Sequence, residues 1–216
     1  MGKKVNLYLI RHGETYLNRY KRMQGWSDSP LTEEGKLVAV ETGKKLADTV
    51  FAHVYTSDSG RTLETAEIIL KENNHSVPTI NRRKEFRETF FGGLEGEYSQ
   101  VALEKVAEAA DVSSFHELRQ KHTVKEVADF IHKADPYGHA ESFDQQWDRI
   151  QAGLEEVVGL EYEDEANILI VTHGNTIRNT VSQLCKEVDL SVDIRNASVT
   201  VIQHLDREYA MVSFNQ

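Results

Sequence analysis

Apolar runs of about six residues recur along the chain, and three of them stop abruptly at polar, glycine-containing stretches. Val5-Asn6-Leu7-Tyr8-Leu9-Ile10 gives way to Arg11-His12-Gly13-Glu14-Thr15. His53-Val54-Tyr55-Thr56-Ser57 runs into Asp58-Ser59-Gly60-Arg61-Thr62, and Asn167-Ile168-Leu169-Ile170-Val171-Thr172 into His173-Gly174-Asn175-Thr176. Short runs rich in β-branched and aromatic residues, bounded by turn formers, predict buried strands. Pro78-Thr79-Ile80 is a shorter candidate, and Ala197–His204 with Glu208–Phe214 predicts a closing hairpin around Asp206-Arg207. Between the strands the pattern is helical. Thr32 precedes Glu33 and Glu34, an acidic first turn, and Leu37, Val40 and Ala47 are expected on the buried stripe of that helix. A second helix runs to about Lys71 and another follows His173. Ser142 and Gln145 form a capping box before Phe143, Trp147, Ile150, Leu154 and Val157, which recur at four and three. From Tyr98 to about Lys133 the pattern is helical but polar and interrupted, anchored by Val101, Val106, Phe115, Leu118, Val127, Phe130 and Ile131.

This alternation predicts an α/β fold with a mostly parallel sheet, made mixed by the last hairpin. The 216 residues suit one domain over 1–216, with a helical lid insertion over 95–140. A formal net charge of -10 disfavours a nucleic-acid partner, although a basic cleft can still set the local field for an anionic substrate. No apolar run approaches the roughly 18 residues that span a membrane. Met1-Gly2-Lys3-Lys4 is not followed by a signal-peptide core, and Asn6 stands where a myristoylation signal wants Ser or Thr, so cytoplasmic residence is expected. Cys185 is the single cysteine, which excludes an internal disulfide. Ser191 stands where a cysteine phosphatase would place its phosphate-binding arginine, and Cys185 is expected to be a buried helix residue. There is no GxxxxGK, GxGxxG or GxSxG stretch, and no HExxH or Cys/His cluster, so neither a metal nor another cofactor is expected.

The chemistry gathers at the strand ends, where open α/β sheets bind ligands. Arg11 offers a planar cationic fork suited to phosphate oxygens, and Gly13 lets backbone and ligand approach. His12 can be a neutral nucleophile near pH 7, the more so with arginine beside it. Arg61 is a second cation at a strand-to-helix edge, and His173 repeats the His-Gly-x-Thr frame of His12. Asn18, three residues after Thr15, can turn back toward His12. The glycine- and aromatic-rich stretch 82–96 and its flank supply Glu85, Glu88, Glu95 and Glu97, each eligible as a general acid. Two arginines, two histidines and a carboxyl group around one pocket amount to phosphoryl transfer: charge stabilisation on three equatorial oxygens, attack by a histidine, and protonation of the leaving alkoxide.

Arg11-His12-Gly13-Glu14-Thr15, Ser57-Asp58 with Arg61-Thr62, Arg87-Glu88 before Phe91-Gly92, and Thr172-His173-Gly174 resemble, in this order, the histidine phosphatase superfamily of phosphoglycerate-mutase-like enzymes. The resemblance covers nearly the whole chain. It implies a three-layer α/β/α sandwich, His12 as the phosphorylated nucleophile and Glu88 as the proton donor. It also implies a phosphate pocket of Arg11, Asn18, Arg61 and His173, with Gln24 and Gly25 lining it. Specificity is expected from the lid and from the region of Lys21, Arg22, Arg82 and Arg83. The expected substrate is a small phosphorylated metabolite, and the expected state a monomer or homodimer. The hydrolase branch is favoured over a mutase because Thr89, Phe90 and Phe91 stand where the cofactor-dependent mutases place an arginine and a polar or aromatic group for a carboxylate. The other alternative is a non-catalytic phospholigand-binding module on the same fold.

Overall fold

The computed structural model describes residues 4–162 and 165–216; the expectations drawn from Met1 to Lys3 lie outside the described residues. Among the described residues, six strands form one sheet in the order β3-β2-β4-β1-β5-β6. They are β1 (Lys4–Arg11), β2 (Phe51–Thr56), β3 (Ile80–Arg82), β4 (Glu165–Thr172), β5 (Val199–Leu205) and β6 (Glu208–Ser213). The pairs β1–β4, β2–β4 and β2–β3 are parallel, while β5 runs antiparallel to both of its neighbours. The hairpin between β5 and β6 turns on Asp206 and Arg207, at φ 51° and 69°. Two consecutive left-handed residues match the right-handed twist of the paired strands.

Helices cover both faces. On one, Ala39 and Leu46 of the α2 segment (α2, Glu33–Lys45) and Ala66, Ile69 and Leu70 of α3 (Gly60–Lys71) pack with Ile10, Val54, Leu169 and Val171. On the other, Ile150, Leu154 and Val157 of α7 (Phe143–Gly159) and Ile177 and Val181 of α8 (Gly174–Leu184) pack with Leu7, Leu9, Ile168 and Ile170. Successive residues of the central strands thus point into opposite cores, which is why their sequences read as unbroken apolar runs. Chain leaving β1 and β2 packs on the first face and chain leaving β4 on the second. Between the adjacent strands β1 and β4 this divergence opens a crevice at their carboxyl ends, where ligands bind in such sheets.

The stripe expected on α2 was misplaced. Leu37 and Val38 are exposed, and the buried positions are Gly35, Ala39, Thr42 and Gly43. The contact selects for small size over hydrophobicity, since a Cβ on Gly35 would lie 2.2 Å from the Glu14 carbonyl oxygen. Cys185 sits half-buried just past the end of α8, not within it, because the helix stops at Leu184. Three further helices, α4 (Ser99–Ala109), α5 (Phe115–Lys121) and α6 (Val124–Ala134), form a cap over the strand ends. They have an apolar cluster of their own, in which Ala102, Val106, Leu118 and Ile131 meet Met23, Phe91 and Leu94. Val101, expected among its anchors, faces outward instead. No helix among the described residues is long and apolar enough to cross a membrane.

Candidate active site

The register of β1 on β4 pairs Arg11 with Thr172, so the next residues, His12 and His173, lie side by side. Their rings approach to 5.3 Å between centroids, at 65°. Both are almost fully buried. His12 Nδ1 lies 2.7 Å from the carbonyl oxygen of Gly13. A carbonyl only accepts, so Nδ1 carries the proton and Nε2 keeps a free lone pair. Burial, then the charges of Arg61 and Arg11, hold the His12 pKa well below its ordinary 6.5. The ring is therefore neutral at pH 7 and its free nitrogen nucleophilic. The main chain around it is fixed from outside: Thr65 Oγ1 accepts from Gly13 N at 3.0 Å, and Asn196 Nδ2 donates to His12 O at 3.0 Å.

His173 takes the opposite tautomer. Arg61 Nη2 donates to its Nδ1 at 3.0 Å, which leaves the proton on Nε2, 2.8 Å from Ser57 Oγ. Its pKa is also held well below 6.5, by burial first and then by Arg61, His12, Arg149 and Arg11. Arg61 is locked by further bonds from Nη1 to Ser27 O and Asp28 Oδ1 and from Nη2 to Gly25 O. The Gly25 position thus orients Arg61 and does not line the cavity. A Cβ there would strike Glu95 and the Thr89 carbonyl at 2.2 Å. Arg11 donates from Nη1 to Ile194 O. Two buried guanidinium atoms, Arg11 Nε and Arg61 Nε, have no hydrogen-bond partner among the described residues. Unpaired buried cationic donors are costly; Arg11 lines the cavity over the strand ends, where an anion would supply its missing acceptor, whereas Arg61 does not line it.

Asn18 does turn back, through the capping box at the start of α1 (Tyr16–Arg19), and lines the cavity. Gln24 lines it as well, but its carbonyl accepts from Thr15 Oγ1 at 2.6 Å and its amide donates to Ser29 Oγ at 3.2 Å. Arg22 reaches the cavity with its guanidinium 4.0 Å from the Tyr98 ring centroid and a bond to Gly96 O at 2.7 Å.

Of the four glutamates, Glu88 is the one at the cavity. Glu95 is spent on structure, accepting from the main chain of Gly25, Trp26, Ser27 and Phe91. Glu97 caps Tyr98 N, and Glu85 lies against Gly153. Glu88 is buried, with Oε1 2.9 Å from Thr89 N and Oε2 3.1 Å from Asn175 N, in the first turn of α8. Burial raises its pKa above the usual 4.5, against the opposing pull of those two N–H groups and of Arg61 and Arg11. A carboxyl group held toward its protonated form can donate a proton.

Beside these residues opens a cavity of about 670 Å³, floored by Arg11, Glu88, Gly174 and Asn175 and roofed by apolar residues of the cap; His12, Arg61 and His173 are packed together next to it and are not among its lining residues. Two further cations, Arg178 and Arg119, line the cavity. Arg178 follows Asn175 on the same face of α8, and burial with the nearby Arg119 charge lowers its pKa to about 10. Arg119, on α5, pairs with Asp193 at 2.7 Å. The polar face Asn175, Arg178, Asn179 of α8 was the available signal, masked by an ordinary amphipathic pattern. Arg82 and Arg83, expected near the substrate, point elsewhere: Arg82 bonds to Asp58 O and Arg83 to Glu156. Among the described residues, no group of three His, Cys, Asp or Glu side chains is placed to hold a metal ion.

The family profile of the histidine phosphatase superfamily (branch 1) matches residues 7–216. A protein of Erwinia tasmaniensis named "Probable phosphoglycerate mutase GpmB" is 32% identical over 204 residues, which are 93% of this chain and 85% of that protein. Among solved structures, phosphoglycerate mutase from Bacillus anthracis is similar with a TM-score of 0.92 and 38% identity, over 100% of this chain and 94% of that one. Bacillus stearothermophilus YhfR is similar with a TM-score of 0.73 and 31% identity, over 98% and 97% of the two chains. A mycobacterial glucosyl-3-phosphoglycerate phosphatase shares the fold, with a TM-score of 0.73 and 22% identity over 97% and 98%.

Proposed function

Because this chain belongs to the histidine phosphatase superfamily, we propose that it hydrolyses small phosphomonoesters through a phosphohistidine on His12. The observation that carries this reading is the Nδ1–H bond from His12 to Gly13 O, which leaves Nε2 free in a buried, neutral ring. The transferring phosphoryl group sits against the unpaired Nε donor of Arg11, whose charge, with that of nearby Arg61, offsets that of its equatorial oxygens. His12 Nε2 attacks phosphorus as the ester oxygen leaves, and protonated Glu88 delivers its proton to that oxygen. Water then enters, and Glu88, now a carboxylate, takes its proton as the hydroxide attacks phosphorus. The phosphohistidine bond breaks, inorganic phosphate leaves, and His12 and Glu88 return to their starting states.

Hydrolysis is favoured over mutase action by the three residues after the acid. Thr89 is tied to Gln146 at 2.8 Å, Phe90 lies against the Trp26 ring, and Phe91 belongs to the cap cluster. None of the three offers a cation to a carboxylate. The cavity also has room for water beside a small substrate. The mutase reading has its own support in the names of the relatives and in Arg22, Arg119 and Arg178, which line the cavity. The deciding experiment supplies 3-phosphoglycerate with catalytic 2,3-bisphosphoglycerate, beside a panel of other phosphomonoesters. Phosphate release exceeding isomerisation is expected; isomerisation much the faster would make the chain a mutase.

A further inference from the structure

The segment that carries Glu88 has little regular structure beyond the 3-10 turn Lys84–Phe86, yet its main chain is held at nearly every residue by side chains from elsewhere. Thr172 Oγ1 donates to Phe86 O and Thr176 Oγ1 to Arg87 O, while Phe90 N donates to Glu141 Oε2. The centre of this arrangement is Arg149 on α7. All five of its guanidinium N–H groups are used. Nε and one Nη2 hydrogen go to the Glu141 carboxylate, both at 2.8 Å. Nη1 donates to Glu85 O at 2.9 Å and to Arg87 O at 2.8 Å, and Nη2 to Glu88 O at 2.8 Å. A second donor meets the same Glu88 carbonyl, Trp26 Nε1 at 2.9 Å. The Trp26 ring is itself set between Phe90, at 4.9 Å, and the Arg87 guanidinium, at 4.4 Å.

The carbonyl of Glu88 and the N–H of Thr89 belong to one planar peptide unit. That N–H is the group that holds Glu88 Oε1 at 2.9 Å. Two donors on the carbonyl end therefore fix the direction of the N–H at the other end, and with it the carboxyl group. Neither Arg149 nor Trp26 lines the cavity. We propose that Arg149 and Trp26 are positioning residues for the proton donor, acting through the 88–89 peptide plane. This rests on Glu88 being the general acid of the reaction proposed above. Loss of either donor lets the plane rotate, takes the N–H off the carboxyl group, and loosens its aim at the leaving oxygen. Proton delivery suffers while phosphoryl binding does not.

The test compares Trp26→Phe, Arg149→Met and, as a reference, Glu88→Gln. Trp26 is 43% exposed, so Phe removes the donor and keeps a ring without opening the core. Single-turnover formation of the phosphohistidine is followed with an alkyl phosphate and with an aryl phosphate that has a good leaving group. For Trp26→Phe and Arg149→Met we expect transfer from the alkyl ester to fall about tenfold, a fraction of what a general acid contributes. Transfer from the aryl ester, which needs little protonation, should stay within about threefold of wild type, with KM unchanged for both. Equal losses on the two esters, or no loss on either, would overturn the proposal. Should Arg149→Met fail to fold, Trp26→Phe decides by the same criterion. Glu88→Gln separates the acid's assignment from its positioning. If it lacks the alkyl-selective loss, the acid has been misassigned; if it has that loss and folded Trp26→Phe does not, the positioning role alone is wrong.

Discussion

His12 and His173 occupy the same place in the same local frame, strand, His-Gly-x-Thr, and yet they are prepared for different work. The ring of His12 touches one fixed acceptor, Gly13 O, and keeps one nitrogen open. The ring of His173 is engaged at both nitrogens, accepting from Arg61 and donating to Ser57. What separates them is which neighbour reaches Nδ1: a carbonyl, which forces a proton onto that nitrogen, or a guanidinium, which forces it off. One histidine is left with a free nitrogen, as the proposed nucleophile requires; the other is built into the hydrogen-bond frame that holds Arg61. The helix starts differ in the same spirit. After His173, α8 begins at once and gives its first-turn N–H, Asn175, to Glu88; after His12 the helix waits for Thr15.

The widest gap between the two rings should appear on truncation. His12→Ala should abolish the phosphoenzyme and cut turnover by roughly 10⁴-fold or more, the scale for losing a covalent nucleophile. Rapid quench with labelled substrate should trap an acid-labile, base-stable adduct in wild type and none in the variant. An adduct on Ser57 or Cys185 would make His12 the wrong choice. His173→Ala should cost less, about 10² to 10³-fold, the scale for disturbing charge stabilisation, because it loosens Arg61 and leaves the attacking ring in place. It should still label on His12, only slowly; failure to label with the fold intact would collapse the distinction between the two rings. Glu88→Gln should slow hydrolysis of alkyl phosphates about a hundredfold and that of esters with good leaving groups much less. Equal slowing would point to a structural role for Glu88.

The smallest effect is on stability against pH, and here the two histidines act together. Both pKa values lie below 6.5 in the folded chain, so folding favours their neutral forms. Their contribution is complete above the unfolded value of 6.5 and is lost as pH falls below it. Glu88 works in the opposite sense: its raised pKa favours the protonated form on folding, a contribution complete below 4.5 and lost as pH rises. Thermal unfolding should therefore shift down by a few degrees between pH 7 and 5. A His12→Asn, His173→Asn double variant should shift less, and Glu88→Gln more. Identical shifts in all three would place the titration elsewhere.

Much of this was legible along the chain. Unbroken apolar runs stand for strands buried on both faces, and the left-handed pair Asp206-Arg207 sits where the hairpin was expected. Arg61, His12 and His173 lie together, because residues just past adjacent parallel strands are neighbours whenever the register aligns them. The misses share a cause. Leu37 faces solvent because the α2 contact demands small residues, a steric condition that hydrophobicity does not encode. Arg82 and Arg83 find acceptors outside the cavity, whereas Arg178 and Arg119 enter it from helices distant in sequence.

Residue type and spacing by themselves determined the alternating elements, the strand-end placement of Arg11, His12, Arg61 and His173, and the class of chemistry such groups perform, because these follow from local backbone preference and side-chain functional groups. Only the tertiary structure decided which nitrogen of each histidine holds a proton, which of four glutamates sits buried at the cavity, and which arginines are left with an unpaired donor. Those properties depend on a second atom a few ångströms away, Gly13 O, Arg61 Nη2 or Asn175 N, brought there by the register of the sheet and the packing of its helices.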